Sequence, residues 1–226
     1  MKRKIFLYNQ YLTEKLEISD EKIIHRLKNV LRLKPGEKIY FLNNFEEEAE
    51  YEVLDNKKWI FKRIDYHLRT LKPKRQINLL ISLIRKEKFE LILEKGTELG
   101  VYSFQPIITQ RSSLKIKEIP ERWLRIIGES LEVTSWQQTP EIKEIKTLKE
   151  VLDEDLENFY IAHKKGEKID LNKLPQKINL LIGPEGGFSE EEEKILKEKG
   201  RFISLGEADF RTETAVLIFL SLLNFS

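Results

Sequence analysis

The chain has 226 residues, of which 40% are apolar and 35% charged, with a formal net charge of +2 and no cysteine. That is enough apolar content to bury a core in one large domain or two small ones, while disulfides, iron–sulfur clusters, thiolate zinc sites and a cysteine nucleophile are excluded; three scattered histidines make no metal site, so no metal is expected. No apolar run approaches the roughly 20 residues that cross a bilayer, and MKRKIFLYNQYLTEK turns polar before a signal-peptide core develops, which predicts a cytoplasmic protein with no membrane partner.

The small net charge hides an asymmetry. Residues 1–75 carry 18 Lys and Arg against 12 Asp and Glu, whereas the remainder carries 22 against 26. A basic N-terminal third is either a modest footprint for nucleic acid or a solvated lysine-rich surface.

Through residue 70 the pattern is mostly strand-like: KIFLYN, then EKIYFLNN after the Pro35-Gly36 turn, then EAEYEVLDN and WIFKRIDYHL. One helix interrupts it, DEKIIHRLKNVLRL, with Ser19 as the expected cap and Ile23, Ile24, Leu27, Val30 and Leu31 at helical spacing. Together these predict a small β-rich domain over residues 1–72, with the boundary in LRTLKPKRQ around Pro73.

From residue 73 to 226 the rhythm changes. INLLISLI reads as a buried strand, KEKFELILEKGTELG as a helix closed by Gly100, and SFQPIIT as another strand; ERWLRIIGESLEVTSW, LKEVLDEDL, NFYIAHK, INLLIGP, EEEEKILKEKG, RFISLG and TAVLIFLSLLNF follow. Alternating strand and helix predicts an α/β domain with a mostly parallel sheet covered on both faces. The last helix is apolar all round and is expected in the core or in a subunit interface, which makes a homo-oligomer a reasonable expectation.

Two loops stand out, both leaving strands at their carboxyl ends, where open α/β sheets hold ligands. The first, LLIGPEGGFSEEEEKIL, has glycines that admit positive φ and close approach. It lacks the phosphate-loop spacings GxxxxGK[ST] and GxGxxG, and Glu190 to Glu193 compete with an anion for the positive end of the helix that Ser189 and Glu192 cap. It is either a tight turn into an acidic helix or a site for a neutral or cationic ligand. In the second, ISLGEADFRTETAVLIF, Arg211, Thr212, Glu213 and Thr214 sit at the mouth of an apolar helix and need partners; capping by Thr212 or Thr214 accounts for part of that need, and Arg211 and Glu213 exceed it.

IGPEGGFSEEE and LG…RTETA, preceded by EKGTELGV, QRSSLK and RW…E…PEI, resemble the SPOUT-class RNA methyltransferases of the RsmE type, which methylate N3 of a uridine in small-subunit (16S) ribosomal RNA. HRLKNVLRLKPGEKIYF is similar to that family's N-terminal PUA-like RNA-binding barrel, so the resemblance spans nearly the whole chain. It implies a C-terminal trefoil (α/β) knot, a homodimer, S-adenosylmethionine (S-adenosyl-L-methionine) as cofactor, and a role in rRNA processing and ribosome biogenesis. Connection rules alone argue against a knot.

Carried onto this chain, the resemblance puts Ile182, Gly183, Pro184, Glu185 and Gly186 in one wall of the cofactor pocket and Leu205, Gly206, Phe210, Arg211, Thr212 and Ala215 in the other. Ala162 and His163 fall where the first knot loop belongs, although His163 also reads as an ordinary loop residue. Uracil N3 must be unpaired and lose its proton to attack a methyl carbon. The expected cation is Arg211 or Arg111, and the expected base or orienting carboxylate Glu98 or Glu132. Arg26, Lys28, Arg32 and Lys34 are the expected RNA contacts, with Tyr40 and Phe41 nearby as β-core aromatics. The family's Gly-Arg-x-Arg-like stretch before PEI is replaced here by Ser135, Trp136, Gln137, Gln138 and Thr139, which removes two basic contacts. Rival readings keep the cofactor on transfer RNA or a ribose 2′-oxygen, or make the chain a non-catalytic RNA-binding assembly factor.

Overall fold

The computed structural model describes residues 2–226. The chain divides into two units, Met1–Leu71 with Leu131–Thr139, and Lys72–Ser130 with Pro140–Ser226.

In the first unit β1 (Lys4–Leu7), β2 (Lys15–Glu17), β3 (Lys38–Asn43), β4 (Glu47–Asp55) and β5 (Ile60–Leu68) form a five-stranded sheet in the order β1-β3-β4-β5-β2. β1 runs parallel to β3 and the other pairs are antiparallel. Alternation in β4 sends Ala49, Tyr51 and Val53 inward, as a period of two requires. Two register shifts between β4 and β5 sharpen the twist and curl the sheet around a core in which Phe41 meets Tyr51 and Phe61 edge-on, at 5.5 and 5.1 Å between ring centroids. Phe41 is therefore core, while Tyr40 lies under the Lys2 ammonium, 4.2 Å from its ring centroid.

The expected helix in this unit is shorter than the periodicity implies. α1 (Glu21–His25) is capped by Asp20 rather than Ser19: the Asp20 carboxylate accepts the amides of Lys22 and Ile23 at 2.8 and 3.0 Å. A π-helical turn, Arg26–Val30, follows. Its wider turn shifts the apolar face, so Leu27 is buried whereas Val30 is 65% exposed.

The second unit holds a seven-stranded, all-parallel sheet. Its strands are β6 (Gln76–Ser82), β7 (Ser103–Ile108), β8 (Glu141–Ile142), β9 (Lys146–Thr147), β10 (Phe159–Lys168), β11 (Lys177–Ile182) and β12 (Arg201–Ser204), ordered β12-β10-β11-β6-β7-β8 with β9 also paired to β7. The helices are α2 (Lys86–Glu98), α3 (Glu121–Thr134), whose residues from Leu131 onward count with the first unit, α4 (Leu148–Leu152), α5 (Glu190–Lys199) and α6 (Thr212–Phe225). Central β6 and β11 bury near-continuous apolar runs, as strands covered on both faces must. Trp123 of α3 stacks on Phe89 of α2 at 4.4 Å. Gly100, at φ +78, closes α2, and Asn224 near the end of α6 donates to the Leu99 carbonyl there at 2.8 Å. No helix among the described residues is long and apolar enough to cross a membrane.

β10 pairs with β12 as far as Ala162, breaks away, and pairs again from Glu167. Within the break Gly166 passes so close to β12 that a Cβ there would lie 2.5 Å from the Ile203 carbonyl carbon. Only glycine permits that approach of main chain to main chain.

Candidate active site and nucleic-acid surface

β11 ends at Ile182 and delivers the chain into the loop 183–187. A Cβ on Gly183 would lie 2.9 Å from the Phe188 ring, and Gly187 has φ +67, so both positions need glycine for different reasons. The predicted capping box is present: Ser189 Oγ accepts the Glu192 amide at 3.2 Å and Glu192 Oε2 accepts the Ser189 amide at 2.9 Å. The segment after β7 packs on this loop, with Arg111 Nη1 donating to the Gly186 carbonyl at 2.6 Å and the Gln110 amide to Glu192 Oε1 at 2.8 Å.

The second loop follows β12. Gly206 adopts φ +108 with open space on its Cβ side, and its amide donates to Ser204 Oγ at 3.0 Å. The expected caps of α6 are not used. Arg211 is the N-cap and provides no side-chain bond, while Thr212 Oγ1 donates to the Gly183 carbonyl at 3.2 Å. The hydroxyl proton finds its acceptor in the neighbouring loop, and this bond ties the two loops together.

Between them lies a cleft of about 260 Å³. It is lined by Ala162, His163, Ile182, Gly183, Pro184, Glu185, Leu205, Gly206, Phe210, Thr212 and Ala215, which leaves only Gly186 and Arg211 of the expected cofactor residues outside the lining. Lys164, Glu193, Ser204, Asp209 and Phe219, which sequence reasoning missed, line it as well. His163 Nδ1 accepts the Lys165 amide at 3.2 Å, which leaves the ring proton on Nε2 to donate to Glu193 Oε1, also at 3.2 Å. Lys164 Nζ forks onto the Asp209 carboxylate at 2.8 and 2.9 Å. The walls are thus largely apolar and carry three carboxylates, those of Glu185, Glu193 and Asp209, against the one ammonium of Lys164, which suits a ligand with an apolar body and a positive charge better than a phosphate.

The four expected catalytic residues have different local settings. Arg211 is exposed at the start of α6, between two cleft-lining residues, and Arg111 is exposed against the glycine loop. Glu98 instead pairs with Lys95 at 2.8 Å along α2 and lines no part of the cleft. Glu132 belongs to the first unit, where its carboxylate receives both Arg26 guanidinium nitrogens at 2.7 and 2.5 Å and the Phe6 amide at 2.9 Å. That fork is a bidentate, charge-assisted ion pair.

Glu213, which sequence reasoning left without a role, is 5% exposed and bonded through Oε1 to Lys88 Nζ at 2.5 Å, with Oε2 buried and unpartnered among the described residues. Burial pushes its pKa up, but the Lys88 hydrogen bond, its own amide and the nearby positive charges outweigh that and hold it below 4.5.

Of the expected RNA contacts, Lys28, Arg32 and Lys34 line one cleft of the first unit, and Arg26 is engaged by Glu132 instead. The substituted segment 135–139 also has local partners: Ser135 Oγ accepts from Lys4 Nζ at 2.5 Å and Gln137 Nε2 donates to Glu46 at 2.6 Å.

Residues 71–224 match the RNA methyltransferase domain family. Across 86% of its length the chain is 33% identical to the ribosomal RNA small subunit methyltransferase E of Aquifex aeolicus, covering 94% of that protein, and across 89% it is 28% identical to the Bacillus subtilis protein of the same name, covering 87% of it. It superposes with a TM-score of 0.87 on a Legionella pneumophila protein whose structure holds the bound cofactor SAM, at 28% identity over 99% of this chain and 97% of that one. The Neisseria gonorrhoeae ribosomal RNA small subunit methyltransferase E bound to S-adenosyl methionine shares the fold at a TM-score of 0.85, with 24% identity over 98% of this chain and 96% of that one. The fold is α/β, a parallel-sheet domain shared with these methyltransferase structures and a smaller curled β-rich sheet of the PUA-like barrel kind. With motif order, glycine-loop cleft and whole-length similarity in agreement, the chain belongs to the RNA methyltransferase family that includes ribosomal RNA small subunit methyltransferase E.

Proposed function

We propose that this enzyme uses S-adenosylmethionine to methylate N3 of a uridine in small-subunit (16S) ribosomal RNA, acting as a cytoplasmic homodimer on the small ribosomal subunit. The observation that carries the reading is the cleft at the break in β10 and the carboxyl ends of β11 and β12, shaped by backbone and carrying three carboxylates against one lysine. Bound there, S-adenosylmethionine supplies an electrophilic methyl group on a sulfonium cation. The loops 183–187 and 205–211 would hold that cofactor through their backbone groups, and the acidic walls would complement its positive charge.

Arg211, exposed at the lip, stabilises the anion that develops on a uracil oxygen as the N3 proton leaves, and Arg111 is the second guanidinium of that rim. Glu193 is bonded to His163 and Asp209 to Lys164. Glu185, which is exposed and makes no ion pair among the described residues, is the cleft carboxylate available to accept the proton. For the dimer, support comes from α6, where Leu217, Ile218 and Leu222 are half-buried and Phe225 is exposed along an apolar helix. Sedimentation tests it.

The decisive experiment is calorimetric titration with S-adenosylmethionine and its demethylated product, followed by mass mapping of small-subunit RNA from cells with and without the enzyme. Binding together with an enzyme-dependent 3-methyluridine is the expected result. A methyl group on transfer RNA or on a ribose 2′-oxygen would replace the target while keeping the cofactor.

A further inference from the structure

The first unit contains a second, chemically opposite cleft of about 660 Å³. One wall is the exit of the π-helical turn, bearing Lys28, Arg32 and Lys34; the other is the turn between β4 and β5, bearing Asn56 and Lys57, with Trp59 beside it. These walls are 23 residues apart in sequence and joined by a bond from Asn56 Nδ2 to the Leu33 carbonyl at 3.4 Å. The sequence pattern marked the first wall as basic and gave no sign that Lys57 faces it.

Three features set this cleft apart from a solvated lysine surface. First, the four cations are exposed, no acidic residue lines the cleft, and none of the four makes an ion pair among the described residues. The acids whose charges act on its rim are engaged: Glu37 accepts the Lys34 amide and an Arg3 hydrogen bond, and Asp55 accepts the amides of Lys57 and Lys58. Second, like charges gathered in one concavity sum to a positive potential that attracts an anion. Third, the walls are built on unusual backbone, with Arg32 at φ +53 directly after the π-helical turn and Trp59 at φ +51. Left-handed backbone is disfavoured for such residues and gathers at sites where side chains must be aimed.

We propose that this cleft is a clamp for the phosphodiester backbone of the substrate RNA, with Lys57 and Lys28 on opposite walls contacting phosphates and Asn56 offering its amide oxygen to a ribose hydroxyl. The proposal rests on the RNA-modifying function above and adds the site and the chemistry through which the first unit engages the strand. The clamp reads no base, so it fixes orientation without sequence preference.

The test measures binding of the full-length protein to a fluorescein-labelled 12-nucleotide single-stranded RNA between 50 and 300 mM KCl. Each lost phosphate contact lowers the slope of log K against log salt by about 0.7. Lys57→Ala is expected to lower it by that amount and Lys28→Ala with Lys57→Ala by about twice as much, equally for two unrelated sequences. Lys58→Ala removes the same charge from the adjacent exposed residue, which does not line the cleft, and is expected to leave the slope at its wild-type value. Indistinguishable slopes for Lys57→Ala and Lys58→Ala, or no salt-dependent binding by the wild type, would overturn the proposal. Titration of the same samples with S-adenosylmethionine keeps the two readings separate, because absence of cofactor binding counts against the methyl-transfer reading and leaves the slope comparison intact.

Discussion

The two clefts of this chain are built on opposite principles. That of the second unit is shaped by backbone: glycines at 183 and 206, strand ends, and a threonine hydroxyl bonded to a carbonyl, with charged groups mostly paired off as Glu193 with His163 and Lys164 with Asp209. That of the first unit is shaped by side chains, four cations with no carboxylate partners among the described residues, carried on turns beside a curled sheet. A small ligand that must be held in one pose favours the first solution, because backbone groups carry no rotamer entropy; a long polyanion that must be oriented favours the second. Substitutions should therefore act locally and steeply in one cleft, and in graded, salt-dependent fashion in the other.

The sharpest break of the comparison is Gly183→Trp. Even a Cβ at this position meets the Phe188 ring at 2.9 Å, so S-adenosylmethionine affinity should fall by at least 100-fold in calorimetry while RNA binding keeps its wild-type salt slope. A parallel loss of RNA binding would show that the clefts are not independent. Next comes Arg211→Ala, where single-turnover methyl transfer should slow at least tenfold, about 1.4 kcal/mol of barrier, with cofactor affinity little changed. An unchanged rate would remove Arg211 from the chemistry.

A smaller effect is expected on stability. Glu213→Gln should cost about 1–2 kcal/mol at pH 7, because the charge-assisted bond from Lys88 is lost. The folded pKa of Glu213 lies below 4.5, so its contribution is complete above that pH and disappears as pH falls through the folded value. The wild-type and variant melting temperatures should accordingly converge below pH 4.5, and a constant gap down to pH 3 would contradict the assignment. Smallest of all, Ser189→Ala removes one half of the capping box and should lower the melting temperature by about 2–4 °C, equivalent to about 1 kcal/mol. Because the helix end is close to the cofactor loop, a modest loss of cofactor affinity should accompany it.

Much of this was legible in the sequence, and the exceptions share a cause. Buried strands such as INLLIGP and the capping box at Ser189 are local signals, set by period and spacing over a few residues, and they appear in place. The short strands β2, β8 and β9 exist only because longer partners pair with them, and their two- or three-residue runs carry no period to read. The cap of α1 moved from Ser19 to Asp20, and a π-helical turn displaced Val30 to the surface, which a 3.6-residue period does not foresee. In the proposed cofactor cleft, the glycine loops were visible from the residues themselves, whereas the lining ion pair of Lys164 and Asp209 joins residues 45 apart. Glu132 looked available as one more helix-face acid until its fork with Arg26, 106 residues away, was seen. Nothing local distinguishes Lys57 from Lys58 either.

The bond between Thr212 and Gly183 joins segments 29 residues apart, each of which forms one lip of the proposed cofactor cleft. Whatever orders one lip therefore orders the other, and thermodynamic linkage makes the relation reciprocal: a ligand that fixes the glycine loop also raises the free energy needed to fray the first turn of α6. Amide exchange at residues 212–215 becomes a remote gauge of events at residue 183, slowing on cofactor addition in the wild type and losing that response in Thr212→Val.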